Sequence, residues 1–91
     1  MARPSSKLKH PYIVSRKGYC GGSPVIEGTR FAVRSVVNYV LKQGISPEEL
    51  VKEFHHLSLA QVYDALSYYY DNEAEIEREL SEHTEANLKS A

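Results

Sequence analysis

The sequence predicts a mainly helical domain of three to four helices, with a small N-terminal β element and a helix-turn-helix at its centre. Three observations carry that prediction. From residue 33 onward apolar residues recur at intervals of three and four. Serines at 46 and 58 each stand three residues before a Glu or Gln, the pattern that opens a helix with a capping box. Before residue 33 the apolar residues come instead in short β-branched pieces separated by glycines, the pattern of strands and turns.

The elements follow in order. Residues 1–11 are basic and polar, carry Pro4 and Pro11, and read as a flexible arm. Tyr12-Ile13-Val14 reads as a strand. Residues 16–24 hold three of the five glycines and read as a loop. Val25-Ile26 and Phe31-Ala32-Val33 flank Glu27-Gly28-Thr29-Arg30, which reads as a small hairpin or tight turn. Val33, Val36, Val37, Val40 and Leu41 then mark one face of a helix. Four of these five are valine, a poor helix former, so packing must hold the helix, and Gly44 ends it.

Ser46-Pro47-Glu48-Glu49 opens the next helix, a short one with Leu50, Val51 and Phe54 inward. His55-His56-Leu57 is the turn, and Ser58 with Gln61 opens a longer helix. Leu59, Val62, Leu66 and Tyr69 form its expected buried stripe, with Tyr63 and Tyr70 alongside. Asp71-Asn72 interrupts the stripe, and Glu73, Glu75 and Glu77 suit the first turns of a last helix. Only Ile76 and Leu80, with Leu88 beyond, are apolar enough to hold that helix, so it is expected to be frayed or docked on another chain. The chain therefore divides into a basic arm (1–11), a helix-turn-helix-like domain (12–72) and an acidic C-terminal helix or tail (73–91).

Composition narrows the function classes. The chain has 91 residues, 42% apolar and 25% charged, which suits one globular domain and leaves little room for a large catalytic cleft. No apolar run is long enough to span a membrane, and residues 1–7 lack the apolar stretch of a secretory signal. The single Cys20 has no partner for an internal disulfide, which suits a reducing cytoplasm.

Charge is unevenly divided. Residues 1–34 hold seven cations and one acid, a net of +6, whereas residues 35–91 hold four cations and eleven acids, a net of −7. The basic half suits phosphates and the acidic half a basic protein surface, although both patterns also fit plain solvated faces.

Short helix, three-residue turn and longer helix is the layout of a DNA-reading helix-turn-helix. On the second helix Ser58, Ala60, Gln61, Asp64 and Ser67 are placed for the solvent face. There Gln61 suits adenine, Ser58 a base or phosphate, and Ala60 a thymine methyl. Against this, no Lys or Arg occurs between Leu59 and Asn72, and Asp64 has the wrong sign for phosphate. The cationic contacts would then come from Arg16, Lys17, Arg30, Arg34 and the arm from Arg3 to Lys9. For a protein partner the expected contacts are Tyr70, Glu73, Ile76, Glu77 and Leu80.

Other chemistry is weaker. His10, His55, His56 and Cys20 show no zinc-finger spacing, so no metal is expected. Cys20 has no aligned base, and Gly21-Gly22-Ser23-Pro24 lacks the Lys-Ser/Thr end of a phosphate loop. The chain reads as a non-enzyme without a cofactor.

Two stretches carry a resemblance. Cys20-Gly21-Gly22-Ser23-Pro24-Val25-Ile26-Glu27-Gly28-Thr29-Arg30-Phe31-Ala32-Val33 is the more specific. The other runs from Gly44-Ile45-Ser46-Pro47-Glu48-Glu49-Leu50 through Leu57 to Val62-Tyr63-Asp64-Ala65-Leu66-Ser67-Tyr68-Tyr69. Over about residues 12–80 the chain resembles domain-of-unknown-function family 433, small prokaryotic proteins. Ala32 and His55 stand where that family tends to have proline, both at turns.

The resemblance implies a homeodomain-like, winged-helix-related fold and a VapB-like antitoxin of a type II toxin–antitoxin module. Such a protein pairs with a PIN-like ribonuclease toxin and, as a dimer, binds its own promoter DNA. The residues alone leave a second reading open: a protein-interaction module that neutralises a partner enzyme without touching DNA. Arg30 fits either a phosphate clamp or an internal pair with an acid such as Glu27 or Glu49.

Overall fold

The computed structural model describes residues 9–15, 18 and 20–90, and their side chains as far as Glu82 except that of Cys20. Arg16, Lys17 and the arm from Arg3 to residue 8, named above as phosphate contacts, lie outside the described residues. Within them the chain is mainly helical, with four α-helices and one two-stranded antiparallel sheet.

Strand β1 (Ile13–Val14) pairs with β2 (Val25–Ile26), Ile13 opposite Ile26 and Val14 opposite Val25. After β2 the chain turns sharply at Gly28, whose φ of +84° is open to glycine at little cost. The Thr29 hydroxyl donates to Ile26 O at 2.8 Å and accepts from Phe31 N–H at 2.9 Å, which closes the turn. The expected hairpin is thus reduced to a single bridge, Val25 to Ala32, and the true strand partner of β2 is the earlier segment β1.

Helix α1 (Val33–Val37) starts from Ala32, whose extended backbone (φ −78°, ψ 153°) leads into its first turn. Val33, Val36 and Val37 are fully buried, so packing does hold this valine-rich helix. The helical path then widens into a π-helical segment (Asn38–Lys42), where Gln43 N–H reaches Asn38 O five residues back at 2.9 Å. The wider turn spoils the 3.6-residue spacing, so Val40 is only half-buried and Leu41 is exposed instead of continuing the stripe.

Helices α2 (Pro47–Glu53) and α3 (Leu59–Asp71) begin where the sequence places them. Ser46 Oγ accepts from Glu49 N–H at 3.1 Å, and Ser58 Oγ from Gln61 N–H at 3.2 Å. Each acidic or amide side chain returns the bond to its cap's own N–H. Val62, Ala65 and Tyr69 are the buried face of α3; Leu59, expected in that stripe, is 39% exposed because it occupies the first turn, beyond the edge of the core.

Helix α4 (Glu73–Ser90) departs most from expectation. Its first two turns dock on the chain's own core through Ile76, which is fully buried, and half-buried Leu80. The core that receives them joins Ile26, α1, Leu50, Leu57 and the inner face of α3.

Candidate functional site

Three surfaces gather the candidate residues: the polar start of α3, the seam between α1 and α4, and a groove beside the π-helical segment. At the start of α3 the two expected base readers are already engaged. The Ser58 hydroxyl caps Gln61 N–H, and the Gln61 carbonyl accepts from Ser58 N–H at 2.8 Å. Ala60 is exposed beside them. Asp64 does not face solvent: its side chain is 12% exposed and accepts from Tyr12 N–H at 2.9 Å. His10 lies between two α3 carboxylates, Nε2 at 2.9 Å from Asp71 Oδ2 and Nδ1 at 3.5 Å from Asp64 Oδ1, with Tyr68 edge-on to its ring. These contacts fasten the segment before β1 across α3.

The α1–α4 seam takes up two of the remaining charged candidates, Arg34 and Glu77. Arg34 Nη1 donates to Ser23 Oγ at 2.8 Å and lies 3.4 Å from Glu79 Oε1, with both partners of the ion pair mostly buried. It is thus a structural tie between α1 and α4. Lys42 Nζ lies 3.0 Å from Glu77 Oε2, and the Tyr69 hydroxyl donates to the same carboxylate. That hydrogen bond from Tyr69, helped by Lys42, holds the Glu77 carboxyl below its usual range. The same bond, with burial second, pushes the Tyr69 phenol up to about 12. Burial first and Glu75 second raise the Tyr68 phenol, which donates to Glu75 Oε1 at 3.3 Å.

One residue expected at a partner surface is therefore corrected: Ile76 has no exposed surface and belongs to the core. Glu77, its side chain 42% exposed, is paired with Lys42 and Tyr69. Leu80 packs half-buried against the same core, whereas Tyr70 and Glu73 stand exposed. Arg30 is exposed beyond the Gly28 turn.

The sequence did not single out the groove. It lies between the π-helical segment and α2, with a volume of about 450 Å³. Tyr39, Ile45 and Phe54 form its apolar wall, and Glu49, Lys52 and Glu53 its charged rim. Phe31 packs edge-on to Phe54 at 4.9 Å and faces Tyr39 at 6.1 Å, which stiffens that wall. No local pattern marks the groove, because Tyr39 and Phe54 come from different elements. Among the described residues no group of three His, Cys, Asp or Glu side chains is placed to hold a metal, and no helix is long and apolar enough to cross a membrane.

Comparison with known proteins places this arrangement. No curated protein matches the chain. The crystal structure of a DUF433 member protein from Anabaena variabilis ATCC 29413 is similar at 30% sequence identity, with a TM-score of 0.74. The match covers 84% of this chain and 74% of that one. The family described as "Protein of unknown function (DUF433)" matches residues 13–69, from β1 to the buried Tyr69 of α3. With well over half its length matched, the chain belongs to the DUF433 family.

Proposed function

We propose that this chain works by protein contact, as an antitoxin-like module of the VapB kind that neutralises a PIN-like ribonuclease in the cytoplasm. One observation carries the reading: three of the side chains expected to read DNA are engaged within the fold. Arg34 ties α1 to α4, and Ser58 and Gln61 cap α3 reciprocally. Asp71, exposed at the end of the same helix, would meet phosphates with the wrong sign. The apolar groove, by contrast, is open, and its rim carries charges of both signs, as a specific protein contact does. In this reading the homeodomain-like, winged helix-turn-helix frame serves as a scaffold for the groove.

The test is a search of the neighbouring reading frames for a PIN-like ribonuclease, whose absence overturns the reading, followed by titration of the full chain into it. RNA cleavage is expected to fall to its floor near equimolar chain. The double charge reversal Lys52→Glu with Glu53→Lys is expected to weaken that inhibition with the melting temperature unchanged. In parallel, binding to the chain's own upstream DNA is measured between about 50 and 200 mM salt. Tight binding that falls steeply with salt would return promoter recognition, with Ala60 and Arg30 among its contacts, and overturn the reading.

A further inference from the structure

The outer face of α3 is unusual for a surface helix, which normally carries charge outward. Its exposed positions from 59 to 70 are Leu59, Ala60, Tyr63, Ser67 and Tyr70, and none is charged, in a chain that is 25% charged. Tyr63 is 50% exposed and Tyr70 59%. The Tyr63 hydroxyl donates to Glu48 Oε2 of α2 at 3.4 Å, and the Tyr70 ring meets buried Tyr69 edge-on at 5.1 Å.

The spacing of this face is informative. Ala60, Tyr63, Ser67 and Tyr70 follow one another at steps of three, four and three, the seam of two packed helices. Small and large residues alternate along it. Laid antiparallel on a second copy and centred at residue 65, the seam sets Tyr63 opposite Ser67 of the second copy, and Ala60 opposite its Tyr70. Every large ring then meets a small residue, and a two-fold axis makes each contact twice.

Charge agrees with the antiparallel choice. The same centring brings Asp71, which ends α3, to position 59 of the second copy, at the start of its α3. That first turn has no acid of its own to meet the positive end of the helix dipole. A parallel pairing would set tyrosine on tyrosine and the two Asp71 carboxylates together.

We propose that the outer face of α3 is a self-association surface, taking a second copy of this chain antiparallel through the Ala60–Tyr63–Ser67–Tyr70 seam. It is separate from the groove read above as the ribonuclease contact, and its test needs no ribonuclease. Sedimentation equilibrium of the full chain is expected to give twice its 10.3 kDa mass. Ser67→Lys and Tyr70→Lys are each expected to give the monomer with an unchanged circular dichroism spectrum, whereas Glu82→Lys, off the seam, leaves the dimer intact. Ser67 is exposed, so Ser67→Lys keeps the test valid if Tyr70→Lys fails to fold.

Orientation is read from disulfide cross-linking in a Cys20→Ser background. A Tyr63→Cys chain mixed with a Ser67→Cys chain should cross-link, and neither chain with itself, because only the mixed pair brings its Cα atoms within disulfide range. A monomeric wild type overturns the proposal. So does a dimer indifferent to Ser67→Lys, or self-cross-linking of either cysteine chain alone.

Discussion

Helices α3 and α4 are neighbours in sequence and are held in opposite ways. α3 buries Val62, Ala65 and Tyr69, is capped by a reciprocal serine–glutamine box, and up to its final Asp71 shows solvent an uncharged face. α4 buries only Ile76 among its described side chains, leans Leu80 against the core, and is otherwise fastened by polar ties: Glu77 to Lys42 and Tyr69, Glu79 to Arg34, Glu75 to Tyr68. The contrast shows how a small core recruits a strongly acidic helix. One buried side chain supplies the apolar anchor, and the cations of α1 and the π-helical segment replace the missing apolar stripe. It also explains the division of surfaces. Two α4 carboxylates, Glu77 and Glu79, meet cations at home while Glu73 and Glu82 stay exposed, and the outer face of α3 is left plain.

Removing the single anchor should break this contrast most severely. Ile76→Ala deletes the one fully buried side chain among the described residues of α4, and a buried Ile→Ala change costs about 2–5 kcal/mol. Chemical denaturation of the variant is expected to show a loss of about 3 kcal/mol. A loss below about 1 kcal/mol would mean that the polar ties alone hold α4.

Next comes the Tyr69–Glu77 bond, and pH is the way to isolate it. The Tyr69 phenol stands at about 12 in the fold against 10.0 in the unfolded chain, so its contribution is complete below pH 10 and is lost as pH rises towards 12. Glu77 is held below its ordinary 4.5, so its contribution is complete above that value and is lost as pH falls through the lowered value. The melting temperature is therefore expected to be flat between these limits and to fall on either side. Tyr69→Phe should lower the plateau by less than Ile76→Ala and flatten the alkaline fall, leaving the part due to Tyr68. Glu77→Gln should flatten the acid fall.

A smaller and cleaner effect belongs to the cap of α3. Ser58→Ala removes the acceptor for Gln61 N–H and is expected to cost about 1 kcal/mol, read as a shift of the denaturation midpoint with unchanged slope. Ser46→Ala should cost about the same. This equality reflects what the sequence made legible. Capping boxes are local: the residues that make them lie three apart, and so the starts of α2 and α3 fall at Ser46 and Ser58 as read.

What holds α4 is not local. Arg34 meets Glu79 across 45 residues and Lys42 meets Glu77 across 35, and no period in the sequence marks either pair, so α4 read as frayed or awaiting another chain. The same reason hid the role of Asp64. Its helical position says solvent, and only the fold brings His10 and the Tyr12 N–H to it. The π-helical widening at Asn38–Lys42 escaped because a valine stripe looks alike in both helix types until the last turn, where Leu41 swings outward. The groove was illegible because its two aromatics, Tyr39 and Phe54, come from different elements.

The smallest expected effect sharpens the comparison from the polar side. Lys42 and Glu77 meet at 3.0 Å, but 46% and 42% of their side chains remain exposed, so water and salt screen the pair. Lys42→Gln is accordingly expected to cost no more than about 0.5 kcal/mol at low salt and to be indistinguishable from wild type in high salt. Arg34→Gln is the informative contrast: its pair with Glu79 is only 19% and 15% exposed, and its loss also strands Ser23. If the Arg34 variant loses clearly more stability than the Lys42 variant, and keeps that deficit in high salt, burial decides which polar tie holds α4. If the two variants behave alike, α4 is held by its summed charge against the cationic side of α1, and the individual geometry of Arg34 has no special weight.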